Sequence, residues 1–325
     1  MAETYAYAVG SISARETRLL TRREMEMLCT AADEAAFVAM LHEHGFGASG
    51  DATAEQILSR ESAALWDYLK SIVGELTLFT PFFIRRDVHN VKAVIKGTLT
   101  GKPYADLLMA PCTVDTKELR AAVEEHRFDR LPAWLAAAAE ESYKTLSRTG
   151  DAPLADAILD AAGCAEMLAA AGRTGVGMLV DLMTDTVFYA DVKIALRAAR
   201  AGKDAAFVRQ ALCPVEGVDV AGWTRAICEG VESTLSLLET VKTRKLPDAV
   251  AAYRQSPTAF EKWVDDRQMT LAREYGKAAM GPEPVLGYYI GKDTELRVLH
   301  LIASGVRTGQ NPDEIAERVR MLYGK

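Results

Sequence analysis

The sequence predicts an all-α protein built from one helical module used three times, and three observations carry that expectation. Apolar residues make up 49% of the 325 positions while aromatics reach only 7%, and alanine is abundant. Such a composition suits helix-on-helix packing better than a β-sandwich. Apolar residues recur at the spacing of a buried helix face, and convincing β alternation is rare. Finally, one stretch recurs: Asn90 to Gly101 and Asp191 to Gly202 are both eleven steps, and Lys102 to Cys112 and Lys203 to Cys213 are both ten.

Taken in order, Tyr5 to Leu20 reads as a first helix anchored by Ile12, Leu19 and Leu20, and Arg22 to Leu41 as a second. Asp51 to Ser71 makes a third, and Leu76 to Arg86 feeds the first copy of the repeated helix, whose face is Val91, Val94, Ile95 and Thr98. Pro111 and Val114-Asp115-Thr116 separate the first module from the second, with Asp115 or Thr116 placed to cap a helix to His126. Pro132 to Leu146 is alanine-rich helix, Gly150-Asp151-Ala152-Pro153 breaks it, and Leu154 to Ala171 resumes. After a second break at Gly172 to Gly177 comes the second copy, with Val192, Ala195, Leu196 and Ala199 as its stripe. Cys213 to Gly217 divides the second module from the third. There Val220 to Arg244, Pro247 to Arg254 and Pro257 to Gly276 are helical. Leu296, Leu299, Ile302 and Ala303 line the third copy, and Asn311-Pro312-Asp313-Glu314 opens a last helix with Glu314 placed to bond back to its cap. The expected thirds are residues 1–114, 115–217 and 218–325, with the N-terminal helix a candidate to pack against the last. A similar lead-in, bulky apolar anchors joined to an acid, precedes each copy: Ala64 to Tyr68, Leu154 to Asp160 and Phe260 to Asp266.

The formal charge is −7, from 45 acidic and 38 basic residues, which argues against a general nucleic-acid binder. Five scattered cysteines (Cys29, Cys112, Cys164, Cys213, Cys228) form no CxxC pair and are expected as buried free thiols. The N-terminus has no signal-peptide profile, and the longest apolar segment, Leu76 to Ile84, is interrupted by Pro81 and far short of the roughly 20 residues a membrane span needs.

No catalytic constellation emerges. Gly172 to Gly177 lacks the closing Gly-Lys-Ser/Thr of a phosphate-binding loop. Asp181 and Asp185 share a helix face, and Asp265-Asp266 begins a DDxxD-like run without its third carboxylate, so solvated faces are the better account. His42-Glu43-His44 places its imidazoles on diverging sides of a helix, and His89, His126 and His300 are isolated. No catalytic residue, metal or cofactor is therefore expected. The basic residues beside the repeated stripe have two readings. Lys92, Lys193 and Arg297 fall at equivalent positions, as do Lys96 and Arg197, where the third copy has Leu301. They pair with local acids at little energetic gain, or they line a common cavity and meet an acidic partner. The first is the commoner case; Lys92, Lys96, Lys193, Arg197 and Arg297 are nonetheless the candidate partner-binding set.

The tail run Gly281 to Ile290, the charged turn Lys292-Asp293-Thr294-Glu295 and the closing Arg318 to Tyr323 resemble the C subunit of the bacterial and archaeal V/A-type ATPases, equivalent to the d subunit of the eukaryotic vacuolar pump. Tyr5 to Val9, Arg15-Glu16 and Leu19-Leu20 extend the resemblance to the other end, and Asp293 stands where the family more usually has Glu. The resemblance implies a funnel of three similar helical domains about a pseudo-threefold axis, without catalytic activity. It further implies a rotor component on the cytoplasmic side of the cell membrane, coupling central-stalk subunits to the membrane proteolipid ring for proton or sodium transport and ATP synthesis or hydrolysis. The alternatives are a helical-repeat adaptor for an unrelated cytosolic protein, disfavoured by a period near 100 residues where solenoids repeat at roughly 20 to 50, and an all-α lyase or transferase using Asp181 or Asp265.

Overall fold

The computed structural model describes residues 2–48 and 50–324. Among them there is no strand: sixteen α-helices are joined by short turns. The chain divides into two compact units, one of residues 1–76 and 251–325, the other of residues 77–250. The expected boundaries at 114/115 and 217/218 both lie inside the second unit.

In the first unit α1 (Ala2–Glu16) is followed by α2 (Arg22–Leu28), which opens with a reciprocal Thr21–Glu24 capping box. The single helix expected from Arg22 to Leu41 is two helices. Asp33 adopts extended backbone and its carboxylate accepts the Ala36 N–H at 2.8 Å, so the chain restarts as α3 (Glu34–Glu43). A second capping box, Thr53 with Gln56, opens α4 (Ala54–Val73).

The second unit begins with α5 (Thr80–Thr100), where Pro81 stands in the first turn and starts the helix instead of interrupting it. Asp115 caps α6 (Thr116–Glu124) as expected. Next, α7 (Ala133–Thr149) and α8 (Ala152–Thr174) form a hairpin across left-handed Gly150 and the Asp151 cap. The break expected over Gly172 to Gly177 shrinks to Gly175 and Val176, because Gly172 and Arg173 stay helical. After α9 (Gly177–Arg200) come α10 (Ala205–Ala211), α11 (Val220–Glu229) and α12 (Val231–Thr240). Gly230, at φ 117° and ψ −174°, splits the one helix expected from Val220 to Arg244.

The chain then passes through α13 (Leu246–Gln255) to α14 (Pro257–Tyr275), α15 (Glu283–Arg307) and the short α16 (Pro312–Glu317). At α16 the Asn311 side chain accepts from the Asp313 N–H at 2.9 Å; the cap stands on that bond.

The stretches expected to be three copies of one helix lie in α5, α9 and α15, of 21, 24 and 25 residues. Each follows another long helix: α4 with 20 residues, α8 with 23 and α14 with 19, which carry the three lead-in stretches. Gly101, Gly202 and Gly309 end the copies at φ 68°, 61° and 67°. A side chain there would be strained, so glycine supplies the stop in all three.

One expectation is corrected at α15. Lys292 to Glu295 is no turn; it lies in the middle of the helix, with Thr294 and Glu295 buried. Gly287 and Gly291, which suggest a loop by propensity, sit one turn apart against the Tyr323 ring. A Cβ on Gly287 would come within 2.5 Å of the Tyr323 hydroxyl, and one on Gly291 would overlap the Tyr323 Cβ. Packing of the tail into a glycine groove outweighs a propensity cost of about 1 kcal/mol per glycine.

Phe37, Leu41, Ile57, Leu58, Leu299 and Ile302 centre the core of the first unit, all fully buried. In the second, Val91, Val94 and Ile95 of α5 pack with Leu119 and Val123 of α6, Leu135 of α7 and Leu159 of α8. Each such side chain contributes roughly 1.5–3 kcal/mol of burial before entropy is counted. Gly163 of α8 meets Val88 of α5 so closely that a Cβ would stand 2.5 Å from its methyl carbon.

Candidate functional site: basic positions and stapled ends

The candidate basic residues distribute over both units, and three have named intramolecular partners. On α5, Lys92 Nζ lies 2.5 Å from Asp160 Oδ1 and Lys96 Nζ 2.7 Å from Asp156 Oδ2, both acids on α8. The Lys92 side chain is 19% exposed and that of Lys96 43%. The first pair is thus the better shielded from water, and the second has the small worth of a surface pair. On α9, Lys193 is half-buried and Arg197 exposed. Arg297 of α15 is 3.0 Å from Asp293 one turn back, and it also donates to Thr294 Oγ1. Measured from the left-handed glycine, Lys92 and Lys193 stand nine residues back and Arg297 twelve, nearly a turn deeper.

Three of the four acids that suggest metal chemistry by spacing, Asp185, Asp265 and Asp266, are structural. Asp185, buried on α9, accepts from the Arg244 guanidinium at 2.5 Å, and Tyr189 of the same helix donates to the Arg244 carbonyl. Asp265 pairs with Arg320 at 3.0 Å, and Asp266 accepts the Met321 N–H at 2.6 Å. Lys262 donates to Val319 O and Arg273 to Tyr323 O, so the tail is stitched along α14. Among the described residues no three His, Cys, Asp or Glu side chains group closely enough to hold a metal ion. Three of the five histidines tie local structure: His42 faces the carbonyls of Phe46 and Asp51, His89 that of Leu107, and His126 the Tyr143 hydroxyl. All five cysteines are free, but only Cys29 and Cys213 are buried, and Cys228 is exposed.

What sequence reasoning misses is a set of buried polar clamps on the long helices. Asp87 of α5 accepts the N–H groups of Thr113 and Val114 and the Thr113 hydroxyl. Asn90 grips Met109 by both N–H and C=O, and Asp191 of α9 accepts the Cys213 N–H at 2.9 Å. Glu295 of α15 accepts the Leu20 N–H at 2.7 Å. Each interrupts an apolar stripe with a polar residue, and a polar group placed there must find a partner. That interruption is the available signal.

The Glu295 clamp gathers both ends of the chain in the first unit. Its other oxygen meets Lys292 Nζ at 2.5 Å; that ammonium also faces Glu61 at 3.9 Å and lies 4.4 Å from the Phe46 ring centroid. Arg15 sits 3.6 Å above the Tyr68 ring and beside Tyr288, whose hydroxyl burial pushes up to about 12 against the pull of Arg15. Glu16 bonds the Tyr323 hydroxyl; desolvation raises both groups above their ordinary ranges. A cleft of about 600 Å³ opens over this network, lined by Arg15, Arg18, His44, Glu61, Tyr288 and Lys292 among others. Arg15-Glu16, Leu19-Leu20, Tyr288, Lys292 to Glu295 and Tyr323, the residues that carry the resemblance, therefore meet in one place.

A family profile described as ATP synthase (C/AC39) subunit matches residues 8–318. The chain belongs to this family. Among characterised members, the C subunit of the V-type sodium ATPase of Enterococcus hirae is 21% identical over 272 residues, covering 83% of this chain and 82% of the relative. The family match thus embraces residues 8–16 of the N-terminal helix, α5, α9, α15 and α16. Membership makes the C/AC39-family chain a component of a V-type ATPase, and no described helix is long and apolar enough to cross a membrane.

Proposed function

We propose that the chain is a non-catalytic rotor component that couples the central stalk of a V/A-type ATPase to its membrane proteolipid ring. The observation that carries this reading is the family match over residues 8–318. On this reading the chain works at the inner face of the cell membrane, held there through the complex, with stalk subunits and ring as partners. The proposed architecture is three similar helical thirds about a pseudo-threefold axis. It is supported by the three pairs of long helices and by the left-handed glycine closing each copy. A coupling element must be stiff, and close-packed helices, as where Gly163 receives Val88, resist deformation.

The test is association. The purified chain is expected to bind both stalk subunits and detergent-solubilised ring at low ionic strength and to lose them as salt rises, because exposed charges are screened beyond about 10 Å at 0.1 M. Absence of binding to either at low salt removes the proposal.

Lys92, Lys96, Lys193, Arg197 and Arg297 remain the proposed partner-facing charges. Simple reversal of Lys92 would leave Asp160 facing a like charge, and that of Arg297 would do the same to Asp293, so the informative variant is Lys92→Glu with Asp160→Lys, Lys193→Glu, and Arg297→Glu with Asp293→Lys. Its helicity by circular dichroism is expected to match the parent while stalk affinity falls about tenfold or more, as for loss of complementary interface charge. Unchanged affinity returns these side chains to intramolecular pairing alone.

A further inference from the structure

Asp191 is the least satisfied of the buried clamps. Its side chain is completely shielded from solvent, one oxygen accepts the Cys213 N–H, and Oδ2 has no partner. The equivalent residue in the first copy is Asn90, also fully buried. It accepts the Met109 N–H at 2.8 Å with its carbonyl and donates from its amide to Met109 O at 3.0 Å. The position thus holds, in one copy, an uncharged acceptor that also bears hydrogen. An aspartic acid matches that description only when protonated. As a carboxylate it would keep a full negative charge in the interior with a single N–H to balance it, a much greater cost than one unpaired hydroxyl.

We propose that Asp191 carries a proton as pH approaches neutrality from below, and that this proton latches the returning Cys213 segment onto α9, so that the latch loosens as the proton is lost.

The surroundings agree. Around Asp191 and its neighbour Cys164 stand Asp160 of α8, Arg85 of α5 and the Cys213 thiol on the returning loop. Asp160 is engaged by Lys92, and Arg85 is exposed, so neither cation reaches into the pocket to hold a carboxylate. Both thiols stay neutral, Cys164 pushed up to about 12 and Cys213 to about 11, in each case chiefly by burial. Burial likewise lifts Asp191 to about 7, with the Cys213 N–H pulling the other way. Because the folded value lies above that of the open chain, the closed state holds the proton longer. Its advantage is complete at low pH, declines as pH rises from the ordinary carboxylate range to about 7, and is level above that.

Two measurements on the full-length chain test this. With carbon-13 in the aspartate carboxyls, one resonance is expected to titrate near neutrality and to vanish in Asp191→Asn, the residue the first copy carries. The Cys213 amide, corrected for intrinsic exchange, is expected to lose about tenfold protection per pH unit from about pH 5 to about pH 7 and to level above, as linkage requires. In Asp191→Asn the profile is flat. Aspartates that all titrate in the ordinary range, or a Cys213 protection independent of pH in the parent, overturn the proposal. The parent alone decides it should the variant not fold.

Discussion

Glu295→Ala is expected to destabilise the first unit by about 3–5 kcal/mol, the range for removing one partner of a buried ion pair. The Glu295 side chain is 3% exposed and that of Lys292 14%. Truncation therefore leaves the ammonium with Glu61, at 3.9 Å, and the Phe46 ring, and leaves the Leu20 N–H without its acceptor. Urea unfolding followed by a probe in each unit should show the midpoint of the first unit moving while that of the second stays. Adding Lys292→Met is expected to recover part of the loss, since the stranded charge goes with it. A loss below about 1 kcal/mol would mean the clamp is solvated and not structural.

Gly291→Ala is expected to cost about 1–3 kcal/mol, the range for overpacking a closed interface. The new methyl would overlap the Cβ of Tyr323, an atom tied directly to backbone that cannot swing aside. The tail should also become more sensitive to protease, because Arg273 and Asp266 hold Tyr323 and Met321 along the same strip. The decisive control is the same change in a Tyr323→Gly background, which removes both the ring and the clashing Cβ. With the ring gone the sign should reverse, alanine being the better helix residue by about 1 kcal/mol. Equal effects in both backgrounds would show that the glycine serves the backbone and not the ring.

Much of the helical plan is legible because its signals are local. Asp115, Asp151, Asn311 and the prolines at 153, 257 and 312 act within a turn of themselves. The ends of α5, α9 and α15 are legible because Gly101, Gly202 and Gly309 do the same backbone work after each. The errors have one physical source: information from far along the chain. Lys292 to Glu295 reads as a turn, because nothing near it in sequence says that Gly287 and Gly291 form a helical groove for Tyr323. Lys92 and Lys96 stay candidate binding charges, and which acids they meet is no local matter, since these lie 68 and 60 residues onward. The acids of the lead-in stretch Leu154 to Asp160 are visible in the sequence, but the crossing of α5 and α8 that delivers them is not. Asn90 and Asp191 read as module starts, and the loops they grip are set by tertiary return alone.

The clamp between Leu20 and Glu295 joins residues 275 positions apart. On the ribosome, the first 76 residues emerge early yet cannot complete their unit until nearly the whole polypeptide has been made. The intervening segment, 77–250, has all its partners in hand sooner and is free to fold first. Through that interval Phe37, Leu41 and Ile57 lack the cover of Leu299 and Ile302, which makes the nascent N-terminus a natural client for chaperones.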